Sequence, residues 1–221
     1  MLKSQASLRS SELSNTLAEL LEQAKDAQMA NKEILGLHLK GRLMVAENKP
    51  KEAMKALEEA MELAGRGKNH VAQGQIGFDY FDLCCHQKYW NGAYKTLKDL
   101  GRLFQDLDLV DEKIFALIKM TTLLAELGQF EAARKEINLA KNLHSAFSIC
   151  ASYNSKHHHQ VGIKLAEAYL FYQDNQAEKS LQVLTQVQHL FEENADIFAD
   201  TPRIRDYYLT QAYLLRDCGF D

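Results

Sequence analysis

Small and apolar residues recur at helical spacing along almost the whole chain. In the segment 50–65 they follow one another at steps of four, three and four: Ala53, Leu57, Ala60 and Ala64. This spacing places them in one stripe of a helix, with the charged residues mostly outside the stripe. Pro50 suits the first helical turn, where its missing N–H costs nothing. Gly65 and Gly67 are expected to end the helix, because glycine tolerates the left-handed conformation.

The same spacing predicts ten helices. No stretch alternates apolar and polar residues convincingly, and no Asn-Gly or Asp-Gly hairpin turn separates such stretches, so no sheet is expected. The connections are mostly short, and neighbouring helices should therefore run antiparallel as helical hairpins. The predicted helices cover residues 11–30, 31–47, 50–65, 69–87, 89–107, 111–127, 130–147, 157–174, 176–194 and 201–217.

A small residue recurs near the start of the second helix of each hairpin. The spacings are 40, 40 and 47 residues: Ala53, Ala93, Ala133 and Ser180. An apolar residue comes four positions after each of them: Leu57, Leu97, Ile137 and Leu184. A further small or apolar residue comes three positions later: Ala60, Leu100, Ala140 and Val187. A period of about 40 residues is typical of a solenoid, in which each hairpin buries its face against its neighbours.

Composition and charge narrow the classes of partner. The chain has 221 residues, 46% of them hydrophobic and 25% charged, and its two prolines begin no linker, so a single domain over 1–221 is expected. A net charge of -4 without blocks of like charge gives no electrostatic footprint for nucleic acid or an anionic membrane. No apolar run approaches the ~20 residues of a membrane span, and no signal peptide is visible. A cytoplasmic or nuclear protein is expected.

Two clusters resemble metal ligands by composition but lack the required geometry. The consecutive histidines 157–159 would point about 100° apart on a helix and could not converge on one ion, so a loop or a helix start is favoured. The stretch 106–112, DLDLVDE, fails the calcium-loop pattern, because Asp111 and Leu117 stand where a glycine and a glutamate are needed. Its acidic residues instead suit the start of a helix near residue 111.

No motif of an enzyme stands out. The chain contains no glycine-rich phosphate loop, nucleophile elbow or zinc-protease motif, so neither catalysis nor a cofactor is expected. The cysteines form no Cys-x-x-Cys pair and are too few for a disulfide framework. They are expected to be reduced: Cys84, Cys85, Cys150 and Cys218.

The repeat resembles the tetratricopeptide repeat family. The first copy has residues at the family's spacing: Leu37, Gly41, Met44, Ala53, Leu57 and Ala60. The third copy carries GQFEAA at the characteristic turn between helices. The chain departs from the family in its period, which exceeds 34 residues, and in the second copy, where Phe81 replaces the small residue Gly41. Over residues 31–194, with a half repeat at 201–218, the resemblance implies a right-handed α-solenoid of antiparallel hairpins that binds other proteins.

The resemblance also implies which side chains line the concave groove. In the family, the first helices of the hairpins face inward. The corresponding positions are His38, Arg42, Phe78, Asp82, His86, Ile118, Thr122, Glu126, Leu165, Tyr169, Tyr172, Leu209, Tyr213 and Arg216. Several apolar and aromatic members could equally pack inside the superhelix. One tetratricopeptide subclass holds a terminal carboxylate with Lys and Asn at such positions, and this chain has neither there.

A narrower resemblance concerns the segment TPRIRDYYLTQAYLLRDCG. Its step at 204–206, Ile-Arg-Asp, is followed by Tyr207 and by Gln-Ala at 211–212. This order is similar to the C-terminal repeats of the subunit 5 family of the anaphase-promoting complex. The resemblance implies a structural platform in a cell-cycle ubiquitin ligase complex. The alternatives are an adaptor that captures a peptide or a partner helix in its groove, and an enzyme or ligand-sensing domain built on helical repeats.

The predicted helix 201–217 has apolar residues on more than one side and lacks a second helix to cover them. Solenoids normally need a polar cap at each end. The chain is therefore expected to be part of a longer solenoid, or to bind a partner or another copy of itself through Tyr208 and Leu215.

Overall fold

A computed structural model describes residues 15–24, 29–148, 152–198, 207 and 211, and all regular structure in this part of the chain is α-helical. The predicted all-α class is confirmed. No described helix is long and apolar enough to cross a membrane. The helices are α1 (15–24), α2 (Ala30–Ala46), α3 (Pro50–Arg66), α4 (His70–His86), α5 (Trp90–Asp106), α6 (Val110–Glu126), α7 (Phe130–Phe147), α8 (Tyr153–Gln173), α9 (Ala177–Glu193) and α10 (Ala195–Phe198).

Helices α2 to α7 begin at intervals of 20 residues, which is half of the predicted repeat. Their predicted bounds are close to the observed ones. Helix α8 begins at Tyr153, four residues before the predicted start at 157, and the short helix α10 was not predicted. Most of the predicted helix 201–217 lies outside the described residues, within which Tyr207 and Gln211 are helical.

A three-residue turn with one conformation joins the consecutive helices from α2 to α7 and joins α8 to α9. Its middle residue is left-handed, with φ between 54° and 58° at the non-glycine positions: Asn48, Lys68, Lys88, Asp108 and, after α8, Asn175. In the first turn the Asn48 amide donates to the Val45 carbonyl at 3.0 Å, and the Lys49 amide donates to the Met44 carbonyl at 2.8 Å. These two bonds form a Schellman motif, which satisfies carbonyls at the end of the helix.

The expectation that glycine supplies the left-handed residue after α3 was wrong. Gly65 lies inside the helix, and Gly67 has a φ of -80°. The left-handed residue is Lys68, because the turn requires this conformation one position after Gly67. Among the three-residue turns that the structure describes, only the one between α6 and α7 has glycine in that place, Gly128 at a φ of 70°. Pro50 is the first residue of α3, as predicted.

The chain divides into two compact units, Met1–Leu100 and Gly101–Asp221, and the division falls inside α5. In the first unit α3 packs on α2 and α4, and α2 also contacts α4. In the second unit α7 packs on α6 and α8, α8 packs on α9, and α6 contacts α8. The first helices of neighbouring hairpins are therefore adjacent within each unit. The single domain expected from the sequence stays a prediction.

The predicted repeat positions are buried in the second helices of the hairpins. All four small positions are 0% exposed: Ala53, Ala93, Ala133 and Ser180. The apolar residues four and seven positions later are also buried: Leu57, Leu97, Ile137, Leu184, Ala60, Leu100, Ala140 and Val187. The Ser180 hydroxyl donates a buried hydrogen bond of 2.7 Å to the Ala168 carbonyl, so the polar residue of the fourth copy is satisfied.

Glycine permits close helix packing in the first two hairpins, at different places. A Cβ atom on Gly41 would lie 2.6 Å from Cδ2 of Leu57, and one on Gly77 would lie 2.9 Å from Cδ1 of Leu100. The close approach in the second copy is thus one turn earlier in the first helix and about one turn later in the second. This shift explains why Phe81, 5% exposed, can occupy the position of Gly41.

Candidate protein-binding site

The predicted groove residues of the first unit lie on α2 and α4, where two of them, His38 and Arg42, contact Asp79. His38 Nε2 lies 2.8 Å from Oδ2 of Asp79, and Arg42 Nε lies 3.8 Å from the same oxygen. The His38 side chain is 16% exposed and the Arg42 side chain is 67% exposed. The first unit therefore places one cation, the Arg42 guanidinium, and the His38 ring beside the Asp79 carboxylate.

Asp79 was missed because the register carried over from the family selects its neighbour, Phe78. Phe78 is half-buried, whereas Asp82 and His86 are exposed. Asp79 follows His38 by 41 residues, one more than the repeat period of 40, and its carboxylate contacts the His38 ring. The opposite charges of these two residues, about one period apart, were the available signal in the sequence.

In the second unit, Glu126 and Tyr169 are brought together by α6 and α8. The Tyr169 hydroxyl donates a short hydrogen bond to Oε2 of Glu126. Gln173 Nε2 donates to the same Oε2 at 3.2 Å and to the Tyr169 oxygen at 2.8 Å. The Tyr172 ring centre lies 6.2 Å from that of Tyr169. Sequence reasoning selected both tyrosines and the glutamate but missed Gln173, which lies one turn after Tyr169.

Burial raises the pKa of Tyr169 well above its usual value, and the hydrogen bond to Glu126 raises it further. The phenol is therefore protonated at physiological pH and acts as a donor to the carboxylate. The Glu126 side chain is exposed, so this hydrogen-bonded group is accessible from solvent.

The remaining predicted groove residues are buried, bonded within their own helix or outside the described part of the chain. Ile118 and Leu165 are buried, at 4% and 6% exposure. The Thr122 hydroxyl donates to the Lys119 carbonyl of its own helix at 2.9 Å. Five predicted residues lie outside the described part of the chain: Tyr208, Leu209, Tyr213, Leu215 and Arg216. Tyr207, which is described, is 5% exposed, and its ring centre lies 5.6 Å from that of Phe191.

The histidine triplet lies within the first two turns of α8, and His159 is 1% exposed. His159 Nε2 lies 3.3 Å from Oδ1 of Asp111, and its ring centre lies 5.0 Å from that of Phe115 and 6.0 Å from that of His144. Within the described ranges, no three His, Cys, Asp or Glu side chains are placed to hold a metal ion. Asp111 and Glu112 occupy the first turn of α6, which agrees with the predicted helix start.

The buried thiol of Cys84 is not suited to nucleophilic chemistry. Burial raises its pKa to about 11, and the negative charge of Glu58 acts in the same direction. A thiol with such a pKa is protonated at physiological pH, whereas the nucleophile is the thiolate. Cys84 therefore acts as a core residue of α4.

Solved structures of helical repeats resemble this fold. Two crystal structures of Podosopora anserina putative kinesin light chain nearly identical TPR-like repeats, one of them a point variant, superpose with TM-scores of 0.59 and 0.57. Both are 14% identical, and they cover 88% and 87% of this chain and 96% of theirs. No protein-family model and no curated protein matches the chain. At this identity the likeness shows the fold, which is a repeat of helical hairpins like tetratricopeptide repeats.

Proposed function

We propose that this chain is a non-enzymatic scaffold that binds other proteins through the exposed face of its first helices. The observation that carries the proposal is the same in both units. Side chains from the first helices of adjacent hairpins meet there: His38 reaches Asp79, and Glu126 reaches Tyr169. Each pair combines ordered polar groups with partial exposure to solvent.

Ordered side chains favour binding because less rotamer entropy is lost when a partner arrives. Tyrosine and arginine are enriched at the energetic centres of protein interfaces, and both types occur on this face as Tyr169, Tyr172 and Arg42.

Site-specific photo-crosslinking tests the proposal. A photoreactive amino acid at Asp82, exposed on the first helix α4, should capture partner proteins from a lysate of the native cell. The matched control is Glu59, exposed on the second helix α3. Equal capture from both positions would show that the first-helix face is not the binding surface.

A finer proposal follows from the resemblance of the segment 204–212: the chain is a structural platform in the anaphase-promoting ubiquitin ligase, in the cytoplasm or nucleus. Affinity purification of the full chain followed by mass spectrometry should then recover the other ligase subunits in stoichiometric amounts. Recovery of a single partner through one short linear peptide would favour the adaptor function instead. Recovery of no ligase subunit would exclude the finer proposal.

A further inference from the structure

Two first-helix carboxylates, Asp79 in the first unit and Glu126 in the second, differ in their neighbours. In the first unit, His38 and Arg42 lie within 4.0 Å of Asp79. In the second, no Lys, Arg or His nitrogen of the described residues lies within that distance of Glu126. Glu126 lies at the end of α6, whereas Asp79 lies in the middle of α4, so the two carboxylates occupy different places in the repeat. An exposed carboxylate without a cation among the described residues points to a cation from outside the chain.

The carboxylate of Glu126 is oriented by two hydrogen bonds. Both hydrogen bonds, from Tyr169 and Gln173, go to Oε2, and Oε1 accepts none from the described residues. Two donors on one oxygen fix the plane of the group and leave the other oxygen available. A planar guanidinium recognises such an oxygen by directional N–H donation.

The surrounding groups also favour positive charge. Glu126 is the last residue of α6 and Gln173 is the last residue of α8, so the negative ends of two helix dipoles meet at this place. The Tyr169 hydroxyl contacts the carboxylate, and the ring centre of Tyr172, which packs partly against the core of α8 and α9, lies 6.2 Å from that of Tyr169. Aromatic faces attract cations. Arginine suits this environment better than lysine, because its guanidinium stacks on aromatic rings and is more weakly hydrated.

We propose that Glu126, Tyr169, Tyr172 and Gln173 form a binding site for an arginine side chain of a partner protein. The proposal rests on the proposed scaffold function and specifies the chemistry of the partner. The guanidinium would donate to Oε1 of Glu126 and lie against the tyrosine rings. No covalent step is involved.

A titration followed by NMR tests the site in the full chain. The probe is the capped pentapeptide Gly-Ser-Arg-Ser-Gly, and its control carries citrulline, a neutral isostere, instead of arginine. We expect the arginine peptide to shift the ring signals of Tyr169 and Tyr172, with an affinity about fivefold above that of the citrulline peptide. Equal affinities, or no shift of these ring signals, would overturn the proposal.

Matched variants separate this site from general attraction to a negative chain. Glu126→Gln should lower the affinity for the arginine peptide about fivefold. Asp79→Asn removes the same charge from the first unit, where it already has partners, and should change the affinity less than about twofold. Tyr172→Leu, which keeps the carboxylate, should also weaken binding. If Asp79→Asn weakens binding as much as Glu126→Gln, the attraction is not specific and the site is wrong.

The result of the peptide titrations can be separated from the result of the crosslinking that tests the scaffold function. If Glu126→Gln leaves peptide binding unchanged while crosslinking from Asp82 persists, only the arginine site fails. If crosslinking from Asp82 is absent while the peptide binds at Glu126, the first-helix face of the first unit fails as a binding surface.

Discussion

At the scale of single residues, helical spacing predicts which face a side chain occupies but not which partner it meets. Glu126 and Tyr169 were both assigned to the groove, yet their hydrogen bond depends on the side-chain conformations of two helices. His159 shows the same limit, because three consecutive histidines give no sign of which one is buried. His159 is the buried member, at 1% exposure, in a helix that begins at Tyr153, before the predicted start.

The environment of His144 predicts a loss of stability in mild acid. Burial lowers its pKa from 6.5, and the positive charges of Lys156 and His157 act in the same direction; the ring of His159 also faces it. The unfolded chain then binds more protons than the folded chain below about pH 6.5, so stability falls as the pH falls. Asp111, whose pKa burial raises from 3.8, acts in the opposite sense, in a lower pH range.

Urea unfolding at pH 7.5 and 6.0 measures this effect. The free energy of unfolding of the wild-type chain should be lower at pH 6.0, and His144→Leu, which cannot be protonated, should reduce the difference. The control is His189→Gln, at a side chain that is 68% exposed, and it should keep the wild-type difference. An unchanged pH dependence in His144→Leu would show that another group is responsible.

At the scale of elements, the existence of the helices was predictable, because each apolar stripe repeats over several turns. The turn chemistry was harder to predict. The three-residue Schellman turn recurs with lysine, asparagine, aspartate or glycine in the left-handed position. The same hydrogen-bonded turn therefore forms with different residues, and the residue type modifies its cost. Sequence reasoning that looks for glycine therefore places the turn after α3 one residue too early, at Gly67 rather than Lys68.

The left-handed turns predict opposite changes in stability for two substitutions. Lys88→Gly should stabilise the chain by about 0.5 kcal/mol, because relief of the left-handed strain outweighs the greater entropy of glycine in the unfolded state. Gly128→Ala should destabilise it by about 1 kcal/mol, because alanine introduces that strain. Denaturant midpoints at one pH measure both effects. A lower midpoint for Lys88→Gly than for the wild type would contradict this account of the turn.

The small residues of the second helices are expected not to tolerate replacement by a large side chain. Ala93 and Ala133 are 0% exposed, so a tryptophan at either must push the paired helices apart, at a cost of about 1–3 kcal/mol or more. Glu59→Trp, at an exposed position of α3, should change stability by less than about 0.5 kcal/mol. Urea unfolding compares the three variants. Equal midpoints would mean that the alanines do not lie at a tight crossing.

At the scale of the whole molecule, the sequence predicts the class of fold and leaves the partner open. The 40-residue repeat requires hairpins stacked on one another, and solved structures at 14% identity share this fold. Very different sequences can therefore meet the packing requirement, since it concerns size and polarity at a few buried positions. Recognition depends on exposed side chains, for which the repeat has no requirement. The contrast between Asp79 and Glu126 arises at such positions and became visible only in the structure.

The charges of the chain finally predict that it does not bind an acidic tail. The net charge is -4, and the first helices present carboxylates in both units, at Asp79, Asp82 and Glu126. The positions that hold Lys and Asn in tetratricopeptide proteins that bind a terminal carboxylate include Phe78 and Asp82 here. Phenylalanine cannot donate a hydrogen bond, and aspartate repels an anion. Calorimetry with a short acidic peptide that ends in a free carboxylate should show no measurable affinity, with the amidated peptide as the control. Micromolar binding that is lost in Arg42→Ala would contradict this prediction and would mean that Arg42 leaves Asp79 to bind the tail.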